Sequence, residues 1–441
     1  MILMRFAVIV STAIAVWGIS AGIARAAYTE TMTPDMPQKN LAVDYGLIDD
    51  GAARDQSDVF QRAIDELAAT GGGRLIVPKG TYRLAGVRLK SNVHLLFEAG
   101  TVIKPNWPPG TKTVVFILDA ERPPKRQATE ADEKAFIENV SLRGLGGRWI
   151  VDYSDRKPKK GEGVRAVVAT MVRNFLIADL LIKDNYTTYC GITLSPLQTE
   201  RDTSNWPVSR ATDGTVRNCR IVNASPGYGL TQLHGAQSIF FKNIYAKGGV
   251  TLRLETGAVG PHTGVYDIKA KNVVNKNGRC AVMLGPHSAV NGVVQVDGVR
   301  TESSAYAVTI GLGGVKEAQQ KIDPDATNGS FAEGSYVKNI HAVFGMRAQI
   351  KTHSILEIPE EYYDDLQIKW FDKFFEGPSI GAVRDNTEGR YHVIIENVTM
   401  EGFKYNADKP ILTPADVRPG KWPEELRKWK ASHPDAAVST W

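Results

Sequence analysis

The residues best suited to chemistry lie between 227 and 287. Three phrases follow one another there: GYGLTQLHGA (227–236), GGVTLRLETG (248–257) and AVMLGPH (281–287). Thr251-Leu252-Arg253-Leu254-Glu255 alternates strictly, so Leu252 and Leu254 face a core while Arg253 and Glu255 share the outer surface of one strand. Gln232 precedes Glu255 by 23 residues and His287 follows it by 32. In a stack of coils of about 25 residues each, these three side chains meet on one outer wall. That places a carboxyl, an imidazole and an amide in one patch, with a guanidinium beside them. Each residue also has a plainer reading: Glu255 and Arg253 as solvated strand residues, His287 as part of a Gly-Pro-His turn, and Gln232 as a rung of an amide ladder.

Such a stack needs a repeat, and the chain has one. Asn or Asp followed by an aliphatic residue and a short strand recurs at Asn92, Asn139, Asp179, Asn243, Asn272, Asn339 and Asn397, with looser cases at Asn218 and Asp297. From Asn218 onward the spacings are 25, 29, 25, 42 and 58 residues. One coil cannot bury its own aliphatic face; stacking turns those faces into a continuous apolar column. Asn suits the bends because it tolerates left-handed dihedrals and can bond to a neighbour one coil away. The fold expected is all-β: a right-handed parallel β-helix solenoid with an N-terminal capping α-helix and a C-terminal extension. The cap is the stripe Phe60, Ala63, Ile64 and Leu67, started by Ser57 or Asp58 and ended by Gly71-Gly72-Gly73. The expected division is 27–410 for the β-helix, with an excursion at about 311–375, and 411–441 for the extension. The tail 418–433, with Trp422 and Trp429, reads as a terminal helix or clasp outside any binding site.

Composition narrows the function classes. The 441 residues carry 53 Lys+Arg against 48 Asp+Glu, too even a balance for a nucleic-acid coat. Residues 1–26 join Arg5, an apolar run and Ala24-Arg25-Ala26, the pattern of a secretory signal peptide. The mature protein is expected to be secreted or periplasmic, outside any membrane, and monomeric. The 3 Cys include no CxxC pair, so zinc is not indicated. Cys190 and Cys219 either pair or stay as buried thiols. No metal-ligand set is legible and no cofactor is required, although a structural calcium or other ion stays open.

The opening segment 44–107 resembles the N-terminal part of many pectin-degrading β-helix proteins. The three phrases of 227–287, with GPSIGAV (377–383), resemble the iota-carrageenases, secreted glycoside hydrolases of marine bacteria. The resemblance runs from about 43 to 310 and resumes near 335–400. It implies hydrolysis of β-1,4 bonds in a doubly sulfated galactan, with inversion at the anomeric carbon. It also implies Glu255 as general acid, His287 and Gln232 as its active-site partners, and Arg253 as a sulfate contact. His234, Arg279 and His262 join the expected substrate contacts, and Lys247 and Arg347 are further candidates for sulfate pairing. An anionic sulfated polysaccharide is the expected partner.

One position departs from the family. Where it places an Asp, two residues after the acid, this chain has Gly257. On a continuous strand, i and i+2 lie about 6.5–7 Å apart, a separation that suits an acid and a water-activating base. His262 in the shortened loop, or Glu302 or Asp385 from another coil, could stand in. Two other classes stay open: a non-catalytic β-helix that binds anionic polysaccharide, and a pectin-active hydrolase or lyase. The carboxylate phrases of polygalacturonases and the clustered Asp of pectate lyases are not found in the central coils.

Overall fold

The computed structural model describes residues 27–432 apart from 125–126, 160, 198–208, 258–262 and 371–373. The leader at 1–26 and His262 lie outside the described residues. The chain winds as a right-handed parallel β-helix. One wall stacks Gly73–Val77, Val93–Glu98, Ile137–Leu145, Val172–Ala178, Ala211–Arg217 and the first part of Ala236–Glu255. Another stacks Ile192–Leu194, the ends of Arg220–Leu233 and Ala236–Glu255, Cys280–Gly285, Val308–Ile310 and Val383–Asp385. Inward columns are apolar and in register, as in Leu95–Leu142–Ile177–Val216–Phe241–Ala270. Every member of that column is buried.

The recurring Asn phrase resolves into two ladders. Asn139 donates its side-chain amide to Asn92 (2.9 Å), and Asn174 donates to Asn139 (2.8 Å). At another bend Asn218 donates to Asp179, Asn243 to Asn218 and Asn272 to Asn243, at 2.9, 3.2 and 2.9 Å. Asn397 and Asn339 continue the pattern to Asp297. Every Asn in these ladders has φ between 54° and 63°. The bend needs a left-handed residue, and Asn supplies it at lower cost than other side chains with a Cβ.

The capping helix spans Ser57–Ala69 and buries Phe60, Ala63, Ile64 and Leu67 against the first coils. Its N-cap is Gln56, with no side-chain cap, so neither Ser57 nor Asp58 plays the expected part. Ser57 Oγ instead donates to Asp55 (2.6 Å) and accepts from the Ala85 N–H (2.9 Å). At the glycine triplet, a Cβ on Gly72 would come within 2.3 Å of the Asn92 carbonyl oxygen, so this close approach requires glycine.

The chain leaves the solenoid twice near its C-terminal end. The first departure carries the short helix Glu317–Ile322 and the strand Ser330–Phe331. Tyr336–Val343 then rejoins the stack between Val294–Glu302 and Ile394–Glu401. The second departure forms an antiparallel three-stranded sheet of Ala348–Lys351, Phe374–Gly377 and Gln367–Trp370. Gln349 stitches this sheet to the coils. Its backbone N–H donates to Gly278 O (3.0 Å), its side-chain oxygen accepts from Gly249 N–H (2.6 Å), and its amide donates to Ala224 O (3.2 Å). The terminal helix Trp422–Ser432 packs on the 3-10 turn Thr352–Glu357. Cys190 and Cys219 are buried and unpaired, which settles their two readings. Among the described residues no helix is long and apolar enough to cross a membrane.

Candidate active site

The long strand Ala236–Glu255 carries the central carboxyl at its end. Leu252 and Leu254 point into the core, and the alternation turns Arg253 and Glu255 outward. The preceding coil places Gln232 directly beside Arg253, and the following coil places Gly285 beside Glu255. Each carboxylate oxygen receives a donor. Arg253 Nη2 lies 2.6 Å from Oε1, Gln232 Nε2 lies 2.8 Å from Oε2, and His287 Nε2 stands 3.6 Å from Oε1. The structure therefore brings Gln232, Arg253, Glu255 and His287 into one cluster.

The surroundings hold this geometry. Arg253 donates through Nη1 to the Gly227 carbonyl (2.6 Å), and its guanidinium lies 5.4 Å from the Tyr228 ring centroid. His287 has φ +45°, an uncommon conformation for a residue with a side chain. Its carbonyl accepts N–H bonds from Gly314 (2.7 Å) and Gly329 (2.6 Å), so the first departure fixes the turn that presents the imidazole. His234 Nδ1 is 2.9 Å from the Glu255 backbone carbonyl. Burial comes first in pushing the His234 pKa down, so its neutral Nδ1–H tautomer suits that bond.

Electrostatically, Glu255 is pulled both ways. Burial raises its pKa; the neighbouring His287 imidazole and the charge and hydrogen bond of Arg253 lower it by more. The net result is a carboxyl held well below the usual range, ionised in the free protein.

Two cavities adjoin the cluster. One, of about 680 Å³, is lined by Arg253, Arg279, Lys351, Tyr228, Phe374 and Trp422 among others. Its cations crowd one another. Burial pushes Arg279 down, and Lys351 is pulled to about 7, first by Arg279, then by burial and by Arg253. The second, of about 470 Å³, is lined by His234, Thr193, Arg165 and Asp119 among others. Glu255 thus stands between a neighbour in each cavity: Arg253 in the cationic one and His234 in the other.

Several expected positions lie elsewhere. Lys247 is exposed beside Lys276 on the strand pair Ala236–Glu255 and Val265–Lys276, away from the cluster. Arg347 is exposed, with Nε 4.0 Å from Glu376. Glu302 pairs with Lys276 at 2.5 Å, on strands that do not belong to the site wall. Asp385 lies on the strand three steps from that of Glu255, in register with Leu254, roughly 14 Å away. Gly257 does not sit on a strand: the strand ends at Glu255, and Gly257 has φ +70°. A Cβ there would approach Ser288 N to 2.8 Å and Ala289 N to 2.9 Å. The i, i+2 spacing expected of a continuous strand therefore does not apply at this position.

Lys351, Phe374 and Trp422 line the cavity although the sequence did not mark them, and the tail containing Trp422 was expected to lie apart from any binding site. No repeat signals these positions, because they come from the second departure and the terminal helix. Among the described residues, no group of three or more His, Cys, Asp and Glu side chains is arranged to hold a metal ion.

This architecture defines a right-handed parallel β-helix protein with a carboxyl-centred cluster on its outer wall. No protein-family model matches the sequence. The iota-carrageenase of Zobellia galactanivorans is 32% identical over 434 residues, covering 84% of this chain and 84% of that protein. The chain belongs to the iota-carrageenase family. Among solved structures, a 1,3-α-1,4-β-D-galactose-4-sulfate-3,6-anhydro-D-galactose-2-sulfate 4 galactohydrolase superposes with a TM-score of 0.77 at 27% identity, over 89% of this chain and 94% of its own. An iota-carrageenase complexed to iota-carrageenan fragments has a TM-score of 0.74 at 26% identity, over 88% and 92%.

Proposed function

We propose that this chain is a secreted glycoside hydrolase that cleaves β-1,4 bonds of a sulfated galactan, iota-carrageenan or a close relative, with inversion. The observation that carries the reading is the Glu255 carboxylate held by Arg253, Gln232 and His287 beside a cavity rich in cations. Glu255 is the general acid. In the free protein it is ionised, so catalysis requires it to gain a proton. A substrate sulfate that pairs with Arg253 neutralises the charge that holds the carboxyl down. Burial under the polymer then raises its pKa, and the acid is protonated when the leaving oxygen needs it.

Water activation cannot come from position 257, because glycine has no group to accept a proton. Glu302 and Asp385 lie away from the site. Of the base candidates that the sequence offers, we assign the role to His262. The leader at 1–26 carries the proposal of secretion.

The test is release of new reducing ends from sulfated galactans by the purified protein. Glu255→Gln is expected to keep the fold and lower turnover by several orders of magnitude. Unchanged turnover in that variant removes Glu255 from the acid role. Gly257 favours a second reading, a non-catalytic protein that binds anionic polysaccharide. Binding to iota-carrageenan without new ends would support it.

A further inference from the structure

The wall of the cationic cavity includes a residue from the far end of the chain. Trp422 opens the terminal helix Trp422–Ser432 and lines the same cavity as Arg253, Arg279 and Lys351. It stays 42% exposed, an aromatic ring at the edge of a space that also presents Arg253, Arg279 and Lys351. Its approach is anchored. The Arg418 N–H donates to Leu356 O (3.2 Å), and its guanidinium bonds Glu360 (2.6 Å) and the Tyr363 hydroxyl. Upstream, Asp416 accepts from Lys409 (2.9 Å) and from the Thr413 hydroxyl (2.9 Å). The helix rests on Thr352–Glu357, which directly follows Lys351.

This combination matches two halves of one ligand. Sulfate groups seek guanidinium and ammonium donors. The sugar ring between them also presents a C–H face that sulfates do not cover, and that face is best desolvated by an aromatic plane. A free inorganic anion would need only the cations. We propose that Trp422 is the stacking platform for a sugar ring of the bound anionic galactan, so that the C-terminal helix forms part of the binding cleft. The inference rests on the proposed substrate class for the identity of the polymer and adds the residue that recognises its uncharged face. Trp422 is assigned a binding role only.

The experiment measures steady-state kinetics on iota-carrageenan, with oligosaccharide affinity by calorimetry, for the full-length protein and for Trp422→Leu and Trp422→Phe. Leu keeps an apolar side chain but has no plane; Phe keeps a plane. Trp422→Leu is expected to raise KM and Kd on the order of tenfold and to leave kcat within about twofold. Trp422→Phe should recover most of the loss. If Leu and Phe behave alike, or if neither changes KM or Kd, the stacking role is overturned while the proposed function stands. If Trp422→Leu lowers kcat at constant KM, the role is overturned too. A wild-type protein that binds no sulfated galactan overturns both readings together.

Discussion

Lys351 sets a pH dependence on ligand binding. In the free protein its pKa lies near 7, drawn down from 10.5 first by Arg279, then by burial and by Arg253. Glu255 and Cys280 act in the opposite sense, and His353 stands near it. A sulfate that pairs with the two guanidinium groups cancels the repulsion and moves Lys351 back toward its ordinary value. Binding therefore takes up a proton wherever free Lys351 is neutral. Affinity is accordingly fullest below pH 7 and declines as pH rises above it. Roughly nine in ten Lys351 side chains are charged at pH 6 and about one in a hundred at pH 9. With the bound lysine still charged, affinity for a sulfated oligosaccharide drops about a hundredfold over that range, about 2.7 kcal/mol. Titration calorimetry in two buffers of different ionisation enthalpy measures the proton uptake directly, and the difference between the wild type and Lys351→Arg, near half a proton at pH 7, is the share of Lys351, separate from the proton that Glu255 gains. Lys351→Met should bind more weakly at pH 6 and show a shallower pH slope; Lys351→Arg should keep the affinity and show the same shallower slope. An affinity that does not change between pH 6 and 9, or a Lys351→Met variant with the wild-type slope, refutes the reasoning.

Gly257→Asp should not restore a carboxylate base. The left-handed backbone and the contacts to Ser288 and Ala289 predict a cost of about 1–3 kcal/mol, a lower Tm and no gain in reducing-end release. Asp184 is fully buried and pushed up to about 7 by that burial, against 3.8 for an ordinary aspartate. Its ionisation therefore costs the folded state stability as pH rises from 4 to 7. Asp184→Asn should match the wild type at pH 4 and exceed it at pH 8 by no more than about 4 kcal/mol in denaturant titrations. Asn243→Ala removes the ladder bonds to Asn218 and from Asn272 and strains a φ of +55°. A loss of about 1–3 kcal/mol by urea unfolding is expected.

The solenoid was legible because each coil repeats one physical problem. A left-handed bend must follow an apolar strand, and Asn next to an aliphatic residue answers it at each turn. That the phrase serves two separate ladders was not legible, since both bends demand the same residue. The cluster of Gln232, Arg253, Glu255 and His287 could be read from alternation plus near-coil spacing. Gly257 was misplaced because periodicity assumes a strand that runs on, whereas this one ends at Glu255. Lys351 and Trp422 lie on segments outside the repeat, whose placement depends on tertiary anchors such as Gln349 and Arg418.

Gln349 has a consequence for how this cleft could diverge. Its side-chain amide takes over hydrogen bonds at the Ala224 and Gly249 corners, so the inserted sheet is spliced into the solenoid two residues before Lys351. Sequence beyond the splice can vary in length and charge while the junction keeps its seat. A chimera that retains the 348–350 rung and exchanges the chain from 351 to the end of the inserted sheet would swap ligand preference without disturbing the barrel of coils beneath.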